Sequence, residues 1–216
     1  MNKYSLNLCF KLILNTMISN TIESVDTKND CIKLPFTFDV DKMREEVAAL
    51  DLNNFIYYNV LPLRSPAHIV DSSREIPSPP DDYADGSWTE WLNTIQLEAS
   101  SYIKSTVEKF QEHTTVTLVR MLRLESGNHV KEHTDPTLGL QVEKSVIRLT
   151  IPIIKEAGAD FYLNHKIVPM KPGECWYMRL TDPHSVENNS TTDRINITID
   201  MIPNEWVRNL ILEEDN

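Results

Sequence analysis

"TVTLVRMLRL" (115–124) is where the sequence changes character. Just before it, in "SWTEWLNTIQLEASSYIKSTVEKFQEH" (87–113), Trp91, Ile95, Tyr102, Ile103, Val107 and Phe110 recur at helical spacing. From 115 on the period is two. "SVIRLTIPII" (145–154), "DFYLN" (160–164), "KIVPM" (166–170), "CWYMRL" (175–180) and "RINITIDMI" (194–202) continue it, and each reads as a strand. The breaks between them carry turn residues: "ESGN", "EAGA", "NH", "KPGE" and "NNSTTD".

Working outward, "KLPFTFDV" (33–40) and "NNFIYYNV" (53–60) read as strands. "DKMREEVAAL" (41–50) reads as a helix with Asp41 placed to cap its first amides. Ser87 and Glu90 have the spacing of a capping box for the long helix over 87–113. "PNEWVRNLIL" (203–212) reads as a closing helix with Pro203 near its start. Helices come early and short antiparallel strands follow. The expected fold is therefore mainly β with flanking helices: a double-stranded β-helix of the jelly-roll, cupin-like type. "SSREIPSPPDDYADGS" (72–87) is rich in Pro and Asp and is expected to be a loop, placed to serve as a lid.

The chain has 216 residues, enough for one domain with a sizeable core. Its net charge of −11 argues against nucleic acid or an anionic membrane as partner, because each repels a negative surface. Three cysteines, Cys9, Cys31 and Cys175, are few, odd in number and widely spaced, which favours a reducing compartment and predicts a cytoplasmic protein. There is no apolar run long enough for a transmembrane helix. The first 30 residues are expected to be a leader, helical or poorly ordered, and 31–216 the domain proper. Lys11 interrupts the apolar stretch of that leader, unlike a signal peptide.

Function concentrates in "EHTDPT" (132–137), where His133 and Asp135 are one residue apart. On extended chain, residues i and i+2 point the same way. Two histidines and one carboxylate on one face of an iron(II) ion leave the opposite face open for cosubstrate and oxygen. Alone, His-x-Asp is more often a pair of polar loop residues, so a third ligand must come from elsewhere. His113 falls at the end of the long helix, His165 in a hairpin turn and His68 before the polar loop. His129 lies about 13 Å from His133 on extended chain. His184, in "TDPHSVENN", follows a strand, and a jelly roll can bring two such strand ends together. Arg194 begins the next strand, and its fork suits the carboxylate of a 2-oxo acid. Arg148 is a charge inside an apolar strand, which is rare without a partner. Arg120 and Arg123 stand on the strand leading to the His-x-Asp pair, either as surface charges or as anchors for a substrate carboxylate.

The segments "SGNHVKEHTDPT", "IRLTIPII", "KPGECWYM", "DPHSVENNS" and "DRINITID", in this order and spacing, resemble the aspartyl/asparaginyl β-hydroxylase family of iron(II)/2-oxoglutarate dioxygenases. "GSWTEW" and "LPFTFDV" extend the resemblance to roughly residues 31–205. The resemblance implies iron(II), 2-oxoglutarate and O2 as cofactors. It implies His133, Asp135 and His184 as metal ligands, Arg194 on the far carboxylate of 2-oxoglutarate, Arg148 at the cosubstrate's other end, and Trp88 lining the pocket. Many members carry the carboxylate at the place of Asp135, whereas the animal endoplasmic-reticulum enzymes have glycine. Thr150 and Leu122 depart from the histidine and serine of those enzymes. The family hydroxylates peptidyl Asp/Asn or free amino acids. With neither a membrane anchor nor a repeat domain in view, the expected substrate is a free amino acid or a small metabolite derived from one, hydroxylated on an aliphatic carbon. The rivals are a peptidyl hydroxylase, a non-catalytic metal-binding cupin and a zinc hydrolase.

Overall fold

A computed structural model describes residues 26–50, 59–77, 88–142 and 145–215. Residues 1–25 of the expected leader, most of the strand expected at 53–60, and residues 78–87 of the loop expected at 72–87 lie outside the described residues.

Along the chain come β1 (Cys31–Thr37), α1 (Val40–Ala49), β2 (Val60–Pro66), α2 (Ala67–Val70), β3 (Trp91–Asn93), α3 (Ile95–Ala99) and α4 (Ser101–Gln111). There follow β4 (Val116–Leu124), β5 (His129–His133), β6 (Ile147–Ile154), β7 (Ala159–Leu163), β8 (Lys166–Ile167), β9 (Glu174–Met178), β10 (His184–Asn188), β11 (Arg194–Met201) and α5 (Glu205–Glu213). The strands form two antiparallel sheets, one ordered β1-β9-β6-β11-β4-β2-β3 and the other β5-β10-β7-β8. This is the expected double-stranded β-helix with flanking helices.

The alternation along the central strands explains the layering. On β4, Val119 and Met121 face one way; on β6, Ile147, Leu149 and Ile151; on β11, Ile195, Ile197 and Ile199. These pack with Met43 and Val47 of α1, Ile103, Val107 and Phe110 of α4, and Val207 and Ile211 of α5 in one core. The opposite face meets the small sheet in a second cluster containing Leu124, Phe161, Leu163, Trp176, Met178 and Val186. The large sheet is thus covered on both sides, and all eight residues of β11 are buried. Apolar side chains on the helix side supply the stability. The other face is free to carry polar groups.

Local caps fix the helices. Asp39, rather than Asp41, caps α1 by accepting from the Lys42 amide at 3.2 Å. Glu46 of α1 accepts from the Tyr102 and Ile103 amides at 2.6 and 2.9 Å and so caps α4 from across the helix pair. Gly173 sits at φ +83°, where a Cβ would meet the Phe38 carbonyl oxygen at 2.7 Å, so this turn requires glycine. Asn164 and His165, at φ 49° and 62°, make the expected two-residue hairpin turn. Asp215 accepts from the Lys28 and Asn29 amides and ties the two ends of the described chain together, ahead of the boundary expected at residue 31.

The helix expected over 87–113 is not continuous. Trp91–Asn93 is a strand paired with β2, Thr94 caps α3, and Ser100 breaks the path at φ −109°, ψ 82°. Ile95, expected on the apolar face, is 78% exposed. Edge pairing with β2 overrides the local helical spacing, as tertiary context routinely does. Ser87 lies outside the described residues, and Glu90 accepts from Arg74 Nη1 at 2.6 Å rather than capping a helix.

Candidate active site

β5 and β10 are neighbours, and His133 lies directly opposite His184 in their register. Their ring centroids are 4.3 Å apart. His133 Nδ1 is 2.8 Å from the Lys131 carbonyl oxygen, and His184 Nδ1 is 2.9 Å from that of Asp182. A carbonyl only accepts, so each Nδ1 carries the proton and each Nε2 keeps its lone pair. Burial pulls the His184 pKa below its ordinary value, helped by the neighbouring His133 and opposed by the bond to the Asp182 carbonyl, which keeps the ring neutral. Phe161 stacks on it at 5.7 Å. The chain turns after β5, and the Asp135 amide donates to the Leu180 carbonyl at 2.8 Å, which pins the carboxylate beside the histidines. Ligand atoms of His133, Asp135 and His184 all lie within 4.8 Å of one another. Two imidazoles with their Nδ1 atoms held by backbone carbonyls, and a carboxylate, gathered from two strand ends, suit a non-haem iron(II).

The cleft around them is lined by both sheets. Leu122, Val130, Phe161, Met178, Leu180 and Val186 make it largely apolar, while Thr150, Asn196 and Thr198 supply polar groups on the large sheet. Arg194 is buried, 5% exposed. One Nη donates to the Asn196 side-chain oxygen, whereas Nε and the other Nη are buried with no hydrogen-bond partner. Burial pulls its pKa down to about 10, with Asp160 opposing, so the group stays charged at neutral pH. Orphaned guanidinium donors inside an apolar cleft fit an incoming carboxylate.

Arg148 lines the cleft, where it was expected at the cosubstrate's other end. Its Nε and Nη2 donate to the two oxygens of Asp200 at 2.7 and 2.8 Å, and Nη1 donates to Asp135 at 3.3 Å. The attraction of Asp200 and Asp135 outweighs burial and raises its pKa. In this arrangement the arginine orients the carboxylate of the His/Asp/His cluster. Arg120 Nη2 lies 3.7 Å from the same Asp200. The Trp88 ring, expected to line the pocket, packs against His68 and Trp91 at 6.1 and 6.3 Å.

The remaining histidines stay outside the cluster. His129 is exposed on β5 opposite Glu187, His165 pairs with Glu132 at 3.1 Å, and His113 stacks on Trp206. The sequence reading missed Asp200 and Asn196. The signal was present in "RINITID", whose polar residues at 194, 196, 198 and 200 share a strand face with Arg194.

A double-stranded β-helix with a His/Asp/His cluster at one mouth and a buried arginine inside has the cupin-like architecture. The family model described as aspartyl/asparaginyl beta-hydroxylase matches residues 81–203, more than half of the chain. The chain belongs to this hydroxylase family, and its His/Asp/His cluster could hold a metal ion. Among solved structures, it is similar to an oxidoreductase of the 2OG-Fe(II) oxygenase family from Burkholderia pseudomallei, at 11% identity over 80% of this chain and 84% of that one, TM-score 0.48. It is similar to the collagen prolyl hydroxylase of Paramecium bursaria Chlorella virus-1, at 10% identity over 82% and 98%, TM-score 0.47. A predicted oxalate decarboxylase from Thermotoga maritima aligns at 21% identity over 44% and 74%, TM-score 0.32. No curated protein matches. No helix among the described residues is long and apolar enough to cross a membrane.

Proposed function

We propose that His133, Asp135 and His184 hold the iron(II), that Arg194 binds the far carboxylate of 2-oxoglutarate, and that the substrate is a free amino acid or a small compound derived from one, hydroxylated on an aliphatic carbon. The observation that carries the reading is Arg194. Its buried, unpartnered donors share one cleft with the His/Asp/His cluster. A metal-storage cupin or a zinc hydrolase has no use for that group.

When bound, iron(II) with 2-oxoglutarate and O2 supplies the oxidation: 2-oxoglutarate leaves as succinate and carbon dioxide, and one oxygen atom enters a substrate C–H bond. The chain does the rest. The two Nδ1–carbonyl bonds aim both imidazoles, and Arg148 donates to the Asp135 oxygen that lies 4.0 Å from His184 Nε2, steadying the carboxylate beside the histidines. Asn196 holds one arm of Arg194 and leaves the rest of its fork directed at the cosubstrate. Leu122, Met178, Leu180 and Val186 exclude water from the cosubstrate's stem.

The small-substrate reading is supported by Arg120, whose buried, unpartnered donors beside Asp200 suit the carboxylate of an amino acid. The test is iron(II)-dependent succinate formation from 2-oxoglutarate, with a panel of free amino acids and short Asp- or Asn-containing peptides screened by mass spectrometry for a gain of one oxygen atom. Oxygen gained only by peptides replaces the small-molecule reading with a peptidyl one. Absence of succinate formation from iron-loaded protein removes the assigned site.

A further inference from the structure

We propose that Asp200 sets the substrate class: by filling the fork of Arg148 it leaves Arg120 as the single substrate anchor, which selects a compound with one carboxylate and no second negative charge. The inference rests on the proposed hydroxylase reading and names the substrate of that same site.

Arg148 on β6 and Arg194 on β11 line the cleft, and Arg120 on β4 reaches its edge, opposite the cleft-lining Thr198 and 3.7 Å from Asp200. Arg194 is assigned to the cosubstrate above. Arg148 is spent, with all three of its nitrogens bonded to Asp200 or Asp135. Arg120 differs from both. Its Nε and Nη2 are buried without any hydrogen-bond partner, its nearest carboxylate is Asp200 at 3.7 Å, and 22% of its side chain is still open. Burial lowers its pKa, and the like charge of Arg148 adds to that.

Thr198 pairs with Arg120 across β4 and β11 and lines the cleft. Its hydroxyl is also buried without a partner. An adjacent guanidinium and hydroxyl, both lacking a bond, form a polar patch beside the His/Asp/His cluster, complementary to one carboxylate. Among the described residues of the cleft, a second carboxylate on the ligand has no cation with a free fork to meet. It comes instead against Asp200 and Asp135, and such like-charge contact rejects a ligand by repulsion. Asp200 thus occupies, from within the protein, the place where an acidic side chain could have bonded Arg148.

The test is calorimetric binding to enzyme loaded with manganese(II) and saturating 2-oxoglutarate, with oxygen excluded. The probes are neutral amino acids such as proline, valine and leucine, the amides of the same compounds, and aspartate and glutamate. The neutral acids are expected to bind at least about tenfold more tightly than their amides, and more tightly than aspartate or glutamate; tenfold is about what one retained charge-assisted bond gives. Arg120→Gln is expected to erase the difference between acid and amide while leaving 2-oxoglutarate affinity unchanged. Asp200→Asn frees Arg148 and is expected to shift preference toward aspartate or glutamate by about tenfold or more. Equal binding of acids and amides, wild-type preference for dicarboxylates, or an unshifted preference in folded Asp200→Asn overturns the proposal. If Asp200→Asn does not fold, the wild-type panel and Arg120→Gln decide it. Succinate formation with no binding of any free amino acid overturns this inference and leaves the hydroxylase reading standing. Carboxylate-selective binding without succinate formation does the reverse.

Discussion

His133 and His184 face each other across the β5–β10 ladder, and each is anchored through Nδ1 to the carbonyl two residues before it. The same local device at two strand ends, distant in sequence, aims two lone pairs at one point. His133→Ala or His184→Ala should lower manganese(II) or iron(II) affinity by more than about 100-fold, since even loss of the groups supporting a ligand costs 10–100-fold. His133 is exposed, so its variant should keep metal-free stability within about 0.5 kcal/mol. Metal titration and urea unfolding on the same preparations separate the two effects.

Removing Arg194 should help stability and harm function. Its folded pKa is about 10 against an ordinary value of 12.5, so the unfolded chain binds the proton more tightly. That penalty is fully present below about pH 10 and relaxes as pH rises toward the unfolded value. Arg194→Met should therefore leave the cosubstrate-free protein at least as stable as the parent. The upward melting shift given by 2-oxoglutarate should vanish, and the concentration needed for half-maximal turnover should rise by about two orders of magnitude or more. Arg194→Lys should restore part of the affinity, because a point charge replaces a fork.

For His184 the linkage has the opposite pH sense. Its folded pKa lies below the ordinary value near 6.5, so the unfolded chain takes up the proton first on acidification. The stability linked to His184 is present above pH 6.5 and is lost as pH falls through the lower folded value. Melting temperatures of the metal-free protein should therefore drop between neutral pH and pH 5, and less steeply in His184→Gln. Parallel pH profiles for the two proteins would remove His184 as the source.

Gly173→Ala should destabilise the fold by about 1–3 kcal/mol, because alanine must adopt φ +83° with its Cβ 2.7 Å from the Phe38 carbonyl oxygen. A fall in the urea midpoint with an unchanged slope would show it; an unchanged midpoint would mean the turn relaxes freely.

The sequence by itself determined the strand-rich architecture and the membership of the site. Period-two segments from 115 onward, separated by Gly- and Asn-bearing turns, have little alternative to antiparallel pairing. His133, Asp135, His184 and Arg194 were identifiable because their order and spacing resemble a family pattern. Only the tertiary structure decided what lay between. Helical spacing at Trp91 and Ile95 gave way to edge pairing with β2, since hydrogen bonds to a neighbouring strand are invisible to a local pattern. Arg120 and Arg123 look in sequence like surface charges, and Arg148 like a charge that needs a partner no local pattern names. In the fold Arg120 and Arg148 are largely buried and converge on Asp200. That Asp200 bonds the fork of Arg148 and stands only 3.7 Å from Arg120 depends on side chains brought together from β4, β6 and β11, and no single stretch of the chain contains that information.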